Sequence, residues 1–346
     1  MLFMSVAVSA SLGWEVSMSV VVITGGSAGA GKAIAVRFAQ AGYDVAVIAR
    51  DDEGLQETCE ACEQYGVKTL GISVDVSKAN ATQDAAEKIE SRLGAIDVWV
   101  NSAMSTVLSP FREITPAEFQ RVTEVTYLGF VNGTRAALAL MMPRDRGIII
   151  QVGSALAYRS IPLQSAYCGA KAAIRGFTDA VRTELMHEHS QVQIAMVQMP
   201  GMNTPQFAWS RNKMDAAMQP VPPVYQPEVA AEAVFSLVKR PVRELWVGKS
   251  TVQSIIGQFF FPRWLDRLMV KKAWEGQLTD DPSPHDSADI LYTPRRGNHP
   301  THGEFGEGAK NRAVTLSSDF PGKVATGAAV AAAALIVGLI IRRKKR

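Results

Sequence analysis

The chain has 346 residues, 47% of them apolar, and a formal net charge of +3. The last five residues, 342–346, are all basic, so the rest of the chain is slightly acidic. This composition is sufficient for one large core, and it excludes nucleic acid as the main partner because phosphate binding requires a concentrated basic face.

Residues 1–18 are mildly apolar but contain neither a basic start nor a long apolar run. We therefore expect an N-terminal extension and not a secretory signal, with Met18 as an alternative start. From residue 20 onward, short apolar runs alternate with amphipathic stretches, which is the pattern of a strand–helix repeat.

This repeat predicts an α/β fold over residues 19–250. Successive β-α-β units with short turns form a Rossmann-type, doubly wound parallel sheet with helices on both faces. Strands are predicted at 20–24, 43–49, 68–74, 96–100, 147–152, 192–199 and 244–248. Helices are predicted at 32–41, 53–65, 81–93, 116–142, 167–188 and 228–239.

Residues 251–323 form a predicted C-terminal extension of different character. Residues 253–269 are apolar and aromatic with interspersed charges, which predicts an amphipathic helix broken at Pro262. Residues 276–323 are rich in Gly, Pro, Asp, Ser and His, and we expect them to form a loop or an extended tail.

Residues 324–341 contain no charge and precede the basic residues 342–346. At about 1.5 Å per residue, this run would span about 27 Å, just short of a ~30 Å hydrocarbon core. We expect a C-terminal transmembrane helix with its basic tail and the catalytic domain in the cytoplasm. The alternatives are a helix packed on the protein or on a partner subunit, and a wholly cytoplasmic protein.

The few cysteines and histidines predict no metal site. Cys59 and Cys62 form a C-E-A-C stretch in a predicted helix, and no second ligand pair lies nearby. Helix packing is the favoured interpretation, with a redox or metal role as the alternative. His187 and His189 flank Glu188 near a helix end, where a solvated cap is favoured. The low cysteine count suits a reducing compartment.

A glycine-rich turn joins the first predicted strand to the first helix. The strand V-V-V-I-T runs into T-G-G-S-A-G-A-G at residues 24–31. Glycine lets the backbone turn sharply and approach a pyrophosphate at the helix N-terminus. Because strand and helix flank the turn, we predict a dinucleotide site there, with a simple tight turn as the alternative. The predicted cofactor contacts in this turn are Gly25, Ser27, Ala28, Gly29, Ala30 and Gly31.

The second predicted strand ends at Arg50, where this fold faces the adenosine ribose. An acidic residue there would bind a free 2′-hydroxyl, whereas Arg50 can pair with a 2′-phosphate. Asp51 and Asp52 follow directly and either could reach back. The sequence therefore favours NADP(H) over NAD(H).

Five motifs follow one another along residues 19–250. They are T-G-x(3)-G-x-G at 24–31, Asp75-Val76, Asn101-Ser102-Ala103-Met104, Ser154, and Tyr167-x-x-x-Lys171. In this order they resemble the short-chain dehydrogenase/reductase family. The chain also resembles a bacterial subgroup with a C-terminal extension and an HG-x-F pattern, here at 302–305. The resemblance implies an oxidoreductase acting on CH–OH and C=O groups, a homo-oligomer, and further cofactor contacts at Asp75, Val76, Asn101, Ala103, Tyr167, Lys171 and Thr204.

Ser154, Tyr167 and Lys171 are the candidate catalytic residues. Tyr167 and Lys171 are four positions apart, so they share one face of a helix. An ammonium beside Tyr167 would lower its pKa from about 10, so that it can exchange a proton with a carbonyl or alcohol oxygen. By resemblance, Lys171 also holds the nicotinamide ribose and Ser154 binds the substrate oxygen.

Two positions depart from the family pattern. The family often has an asparagine in a proton relay where this chain has Thr126, which could still hold a water. The P-G-x-V-x-T loop of the family becomes M-P-G-M-N-T at 199–204, which places Thr204 one residue early. Thr204 is nevertheless the predicted contact for the nicotinamide carboxamide.

Residues 202–227 are the predicted substrate segment. They include Phe207, Trp209, Met214 and Met218, and a mobile apolar lid of this kind suits a small hydrophobic carbonyl or alcohol. Two other functions stay open at this point. One is a non-catalytic NADP(H)-binding sensor, and the other is a membrane-tethered scaffold that docks through residues 253–269.

Overall fold

A computed structural model describes residues 19–283 and 289–319. The extension predicted at 1–18, the transmembrane helix predicted at 324–341 and the basic tail at 342–346 lie outside these residues. Among the helices that the structure describes, none is both long and apolar enough to cross a bilayer.

An eight-stranded sheet forms the centre of the fold. The strands of the described residues, both inside and outside this sheet, are in chain order β1 (Val20–Thr24), β2 (Asp44–Ala49), β3 (Thr69–Ser73), β4 (Ile96–Asn101), β5 (Val107–Leu108), β6 (Ile148–Ser154), β7 (Gln193–Met199), β8 (Gly201–Met202), β9 (Arg211–Asn212), β10 (Ala216–Met218), β11 (Val224–Tyr225), β12 (Glu244–Val247), β13 (Leu278–Pro282) and β14 (Thr315–Ser317). The main sheet has the order β14-β12-β7-β6-β4-β1-β2-β3. All neighbours from β12 to β3 run parallel, and β14 runs antiparallel to β12.

Helices cover both faces of this sheet. They are α1 (Gly29–Ala39), α2 (Asp52–Glu63), α3 (Ala79–Leu93), α4 (Pro116–Thr123), α5 (Gly129–Met141), α6 (Ser165–His187), α7 (Gln206–Trp209), α8 (Pro227–Lys239), α9 (Lys249–Phe260) and α10 (Pro262–Glu275). One core cluster joins the sheet to α1, α2 and α8, and another joins it to α3, α5 and α6. Because helices bury both faces, β1 is apolar and buried along its whole length.

The predicted Rossmann-type fold is confirmed. Each strand and helix predicted over residues 19–250 is present, with ends shifted by at most three residues. The predicted helix 116–142 is divided, because Glu124–Leu128 form a π-helical turn between α4 and α5. Cys59 and Cys62 lie on α2, and burial raises the pKa of the Cys62 thiol to about 12, which agrees with a packing role.

The C-terminal extension packs against this core. The predicted break at Pro262 is confirmed, since α9 ends at Phe260 and α10 begins at Pro262. The expectation of a loop or extended tail at 276–323 is only partly right. β13 pairs with β10, and β14 adds a strand to the main sheet. Residues 289–303, which we call the strap, lack helix and strand but cross the carboxyl end of the sheet.

Candidate active site

A cavity of about 910 Å³ lies at the carboxyl ends of the parallel strands. Residues following β1, β2, β4, β6 and β7 line it, which is where ligands bind in doubly wound sheets. All predicted site residues line this cavity except Asn101. The cavity therefore brings together the glycine turn, Arg50, the three candidate catalytic residues and Thr204.

The glycine turn shapes one end of the cavity. Gly25 has a φ of +69°, and a Cβ there would lie 2.5 Å from the Cα of Ala103. A Cβ on Gly31 would lie 2.1 Å from the carbonyl oxygen of Gly25, so α1 packs directly on the turn. The N-cap of α1, Ala28, provides no side-chain cap. Helix N-terminal N–H groups without a side-chain cap fit a bound pyrophosphate.

Ser154, Tyr167 and Lys171 meet at the other end of the cavity. Ser154 ends β6; its hydroxyl accepts from the Leu156 N–H at 3.2 Å, and its side chain lies beside the Tyr167 hydroxyl. Lys171 is one turn further along α6, and its Nζ donates to the Val152 carbonyl at 2.7 Å. The same Nζ lies 5.6 Å from the centre of the Tyr167 ring and 4.7 Å from that of Phe130.

Burial controls the protonation of these groups. It raises the pKa of Tyr167 above its ordinary value, the neighbouring Cys168 thiol adds to this, and the Ser154 hydrogen bond opposes it. Burial also lowers the pKa of Lys171 to about 7. The expected lowering of the Tyr167 pKa by Lys171 is therefore not found, because desolvation has the larger effect. Tyr167 is protonated at neutral pH, as donation to a carbonyl requires.

Thr126 holds the backbone instead of a relay water. It lies in the π-helical turn and is fully buried. Its hydroxyl donates to the Ser105 carbonyl at 2.8 Å and accepts from the Ser105 N–H at 2.9 Å. Because a threonine hydroxyl has a single hydrogen to donate, Thr126 fixes the segment after β4 and has no donor left for a water.

Asn101 lies in the protein interior, away from the cavity. Its amide donates to Gln151 at 2.9 Å and to Thr134 at 3.2 Å, and its oxygen accepts from the Trp99 indole at 2.9 Å. These bonds join β4 to β6 and α5. The predicted cofactor contact at Asn101 thus becomes a link between strands, whereas Ala103, two residues later, does line the cavity.

Arg50 lines the cavity and also binds the strap. Its guanidinium donates to the carbonyl of Tyr292 at 3.0 Å and to that of Ile290. Asp51, by contrast, caps α2 by accepting from the Gly54 N–H at 2.9 Å. The second contact of Asp51 is the Nε2 of His299, 3.2 Å away. The carboxylate nearest to Arg50 along the chain therefore already has partners.

Asp75 is also paired. The guanidinium of Arg121 donates to its carboxylate at 2.6 Å, and the Ser77 N–H donates at 3.0 Å. Burial alone would raise the pKa of Asp75, but these hydrogen bonds outweigh it and lower that pKa. Arg121 also donates through Nε to the Leu291 carbonyl at 3.0 Å. It thereby connects Asp75, a predicted cofactor contact, to the strap.

The strap is attached at both ends. At its start, Asp289 accepts from Arg211 at 2.7 Å. Toward its end, the carbonyls of His299 and Pro300 accept from the Lys32 ammonium at 2.9 Å and the Gly29 N–H at 3.1 Å.

The HG-x-F pattern packs on the M-P-G-M-N-T loop. A Cβ on Gly303 would lie 2.5 Å from the Thr204 carbonyl oxygen, and the Phe305 N–H donates to the Asn203 side chain at 2.9 Å. These contacts explain the glycine in the pattern.

Sequence reasoning missed Arg121 and the strap residues. Ile290, Pro294, Arg295 and His299 line the cavity in addition to the predicted residues. The HG-x-F pattern was the available signal, since it marks the point where the extension contacts the loop after β7. No sequence pattern indicated that the extension reaches Arg50.

Much of the cavity lining is apolar. Met199, Met202, Phe207, Val221 and Met269 line the same cavity as Tyr167. Phe207 and Trp209 of the predicted substrate segment line the cavity, whereas Met214 and Met218 pack with Phe207 in an apolar cluster beside it. Three strand pairings, β5–β9, β8–β11 and β10–β13, hold this segment against the rest of the fold.

Known proteins resemble this chain in sequence and in fold. The family model described as short chain dehydrogenase matches residues 19–215. The uncharacterized oxidoreductase YxnA of Bacillus subtilis (strain 168) is 30% identical over 325 residues, which cover 93% of this chain and 88% of that protein. The 3-dehydrosphinganine reductase of Danio rerio is 33% identical over 193 residues, or 54% of this chain and 58% of that protein. An alcohol dehydrogenase from the archaeon Thermococcus sibiricus, complexed with 5-hydroxy-NADP, superimposes with a TM-score of 0.57 at 28% identity, covering 66% of this chain and 95% of that one.

Proposed function

This chain belongs to the short-chain dehydrogenase/reductase family and is an oxidoreductase of carbonyl and alcohol groups, and we propose that it uses NADP(H) on a hydrophobic substrate. The observation that carries the proposal is the pairing of a cofactor-sized cavity with Ser154, Tyr167 and Lys171 at one end and Arg50 at the other.

The proposed chemistry assigns one task to each catalytic residue. Ser154 holds the substrate oxygen, and Tyr167 donates a proton to it in reduction or accepts one in oxidation. Lys171, fixed by the Val152 carbonyl, holds a positive charge beside the phenol ring when protonated. When bound, the nicotinamide supplies or accepts the hydride.

The preference for NADP(H) rests on the two residues after β2. Arg50 presents a cation to the cavity, and two of its guanidinium nitrogens are held by strap carbonyls, which orient it. Asp51, which would favour a free 2′-hydroxyl, is engaged by Gly54 and His299. A 2′-phosphate would therefore meet a positioned cation, and the Asp51 carboxylate beside that cation already accepts a hydrogen bond.

The cofactor test compares NADPH with NADH. Arg50→Gln should weaken equilibrium binding of NADPH roughly 10-fold or more and change that of NADH much less. Arg112→Gln is the matched control, because Arg112 is 84% exposed and outside the cavity. Equal binding of both cofactors by the wild type would contradict the preference.

The proposed substrate is a small molecule with an apolar body. The apolar lining near Tyr167 supports it, as does similarity to a protein named 3-dehydrosphinganine reductase. A carbonyl panel should show higher kcat/KM for long-chain ketones than for sugars or charged ketones. Efficient turnover of a sugar would contradict the substrate class, and cofactor binding without turnover of any carbonyl would favour the non-catalytic sensor.

We also propose that the protein associates with membranes through α9 and α10. Phe259, Phe260, Phe261 and Trp264 are each more than half exposed at the junction of these helices. The exposed basic residues Arg263, Arg267 and Lys271 lie on the same segment. Aromatic and basic residues together are typical of helices that lie on an anionic lipid surface. Met269 and Ala273 of α10 line the cavity, so this surface adjoins the substrate end.

Tryptophan quenching by brominated lipid tests this association in the full chain. Vesicles containing brominated phosphatidylserine should quench the wild type. Trp264→Phe should lose part of that quenching, whereas Trp246→Phe, a change at a buried position, should retain it. Equal quenching in both variants would contradict the proposed surface and leave the predicted helix at 324–341 as the attachment.

We also propose that the protein is a homo-oligomer. Light scattering of the full chain would give its oligomeric state.

A further inference from the structure

We propose that the strap forms the outer wall of the cofactor site and that Arg295 binds a phosphate group of the dinucleotide. This inference rests on the proposed NADP(H) site and adds to it a residue from the C-terminal extension. No part of the glycine turn or of the catalytic set implies it.

The strap lies where the adenosine half of the cofactor is proposed to bind. Its carbonyls at Ile290 and Tyr292 accept from Arg50, and its carbonyl at Pro300 accepts from Gly29 in the glycine turn. The strap therefore contacts the glycine turn after β1 and the loop after β2 that begins with Arg50. In this fold these two loops hold the pyrophosphate and the ribose.

The strap lines the cavity without filling it. The volume of about 910 Å³ is measured with the strap in place, and Ile290, Pro294, Arg295 and His299 contribute to its lining. That volume lies in the upper part of the range of about 300–1,000 Å³ typical of ligand sites. We therefore interpret the strap as a wall of the site and not as a plug.

Arg295 is the cation that the strap presents to this cavity. Its guanidinium carbon lies 5.3 Å from the centre of the Trp209 ring, which lines the same cavity and orients it. Its carbonyl accepts from His299 at 3.1 Å, and His299 is 98% buried, so the backbone at Arg295 is anchored. Within residues 19–283 and 289–319, no carboxylate lies within ion-pair distance of the Arg295 guanidinium.

The surrounding charges favour an anion at this position. Asp51 and Asp75, the carboxylates that line the cavity near Arg50, are each engaged by protein donors. The N-terminus of α1 and the Arg50 guanidinium add positive charge at the same end. A phosphate placed between Arg50 and Arg295 would meet one cation from the core and one from the strap.

Arg295→Met and Arg296→Met form a matched pair for the test. Both residues are exposed neighbours on the strap, but only Arg295 lines the cavity. Quenching of protein fluorescence would give equilibrium dissociation constants for NADPH and NADH, with circular dichroism as the check on folding. Arg295→Met should weaken NADPH binding roughly 10-fold or more, and Arg296→Met less than about threefold.

The two dinucleotides distinguish the phosphate that is bound. A loss confined to NADPH assigns Arg295 to the 2′-phosphate, and an equal loss for both assigns it to the pyrophosphate. Equal binding by both variants and the wild type would overturn the inference while leaving NADP(H) binding intact. A wild type that binds neither dinucleotide would instead overturn the proposed function, and the inference with it.

Amide hydrogen exchange gives a second measurement that does not depend on turnover. Saturating NADPH should slow exchange at strap residues 290–300 by a larger factor than at β13, which lies in the extension but outside the cavity. Unchanged exchange in the strap would overturn its role as a wall.

Discussion

The two ends of the cavity are built from different parts of the chain. At the catalytic end, Ser154, Tyr167 and Lys171 come from β6 and the helix that follows it, within 17 positions of one another. At the end where adenosine is proposed to bind, the adenosine end, Arg50 meets carbonyls that lie 240 and 242 positions later in the chain. The catalytic end is therefore local in sequence, and the adenosine end depends on the docking of the extension. We expect substitutions at the two ends to separate chemistry from cofactor affinity.

The largest expected effect is that of Tyr167→Phe, which tests the catalytic end alone. Removing the hydroxyl removes the proposed proton donor, so kcat should fall roughly 10²–10⁴-fold. The dissociation constant for NADPH should stay within about threefold, because the adenosine end is unchanged. Steady-state turnover measures kcat, and fluorescence titration measures the dissociation constant for NADPH.

Tyr65→Phe is the control for this prediction. The Tyr65 hydroxyl accepts from Gln40 at 3.0 Å on the exposed surface and is outside the cavity. Turnover by Tyr167→Phe equal to that of Tyr65→Phe would reject Tyr167 as the general acid.

The second test concerns the attachment of the strap. Glu118 is buried and accepts from Lys213 at 2.7 Å and Arg211 at 3.1 Å, while Arg211 also binds Asp289 of the strap. Burial alone would raise the pKa of Glu118, but hydrogen bonds from Lys213, Thr115 and Arg211 outweigh it and lower that pKa from 4.5 to about 2. Glu118→Gln should therefore lower the free energy of unfolding by about 3 kcal/mol at neutral pH.

The sign of the pH dependence follows from this lowered pKa. The stabilisation by Glu118 is fully present above about pH 4.5 and is lost as the pH falls toward about 2. Urea unfolding of wild type and Glu118→Gln should show a difference at pH 7 that shrinks below pH 4. A difference that stays constant down to pH 3 would contradict the assignment.

The third test returns to the catalytic end, where Lys171 is buried without a carboxylate partner among the described residues. Burial lowers its pKa from 10.5 to about 7, so its charge opposes folding below pH 7, and this cost decreases as the pH rises toward 10.5. Lys171→Met should stabilise the cofactor-free protein by roughly 2 kcal/mol at pH 6.

Thermal unfolding at two pH values measures this effect. The gain in stability of Lys171→Met over the wild type should be larger at pH 6 than at pH 9. The same gain at both values, or a loss at pH 6, would show that burial of the ammonium is not the cause.

The smallest expected effect is at Thr126, which holds the segment after β4. Thr126→Val removes the hydroxyl and leaves the Ser105 N–H and carbonyl without their partner, which should cost about 1–3 kcal/mol of stability. Thr126→Ser keeps the hydroxyl and should cost less than about 1 kcal/mol. If Thr126→Val abolishes turnover with unchanged stability while Thr126→Ser keeps it, the Thr126 hydroxyl serves the proton relay after all.

Sequence reasoning succeeded where the information is local. β1 and the glycine turn are adjacent in the chain, and Tyr167 and Lys171 share one helix face, so periodicity and spacing were sufficient to predict their arrangement. The π-helical turn at Glu124–Leu128 was missed, because helical periodicity does not report a single extra residue in a turn.

The predictions were incomplete where contacts are distant in sequence. The positions of Arg50 and Asp75 at the cavity were predicted, but their partners in the strap and on α4 were not. Irregular segments such as the strap have no periodicity, and their place is determined by backbone carbonyls, which every residue carries. Asn101 was misread because a motif gives the position of a side chain in the chain but not the direction in which it points.

The contact between Lys32 and the His299 carbonyl joins residues 267 positions apart, so it can form only late in synthesis. Domains begin to fold while the ribosome is still adding residues from the N-terminus onward. The glycine turn and the helix that carries Tyr167 therefore leave the ribosome long before the strap is synthesised. A nascent chain that ends before residue 289 has Ser154, Tyr167 and Lys171 but lacks Arg295. We expect newly made protein to bind its nucleotide tightly only after synthesis has passed the strap.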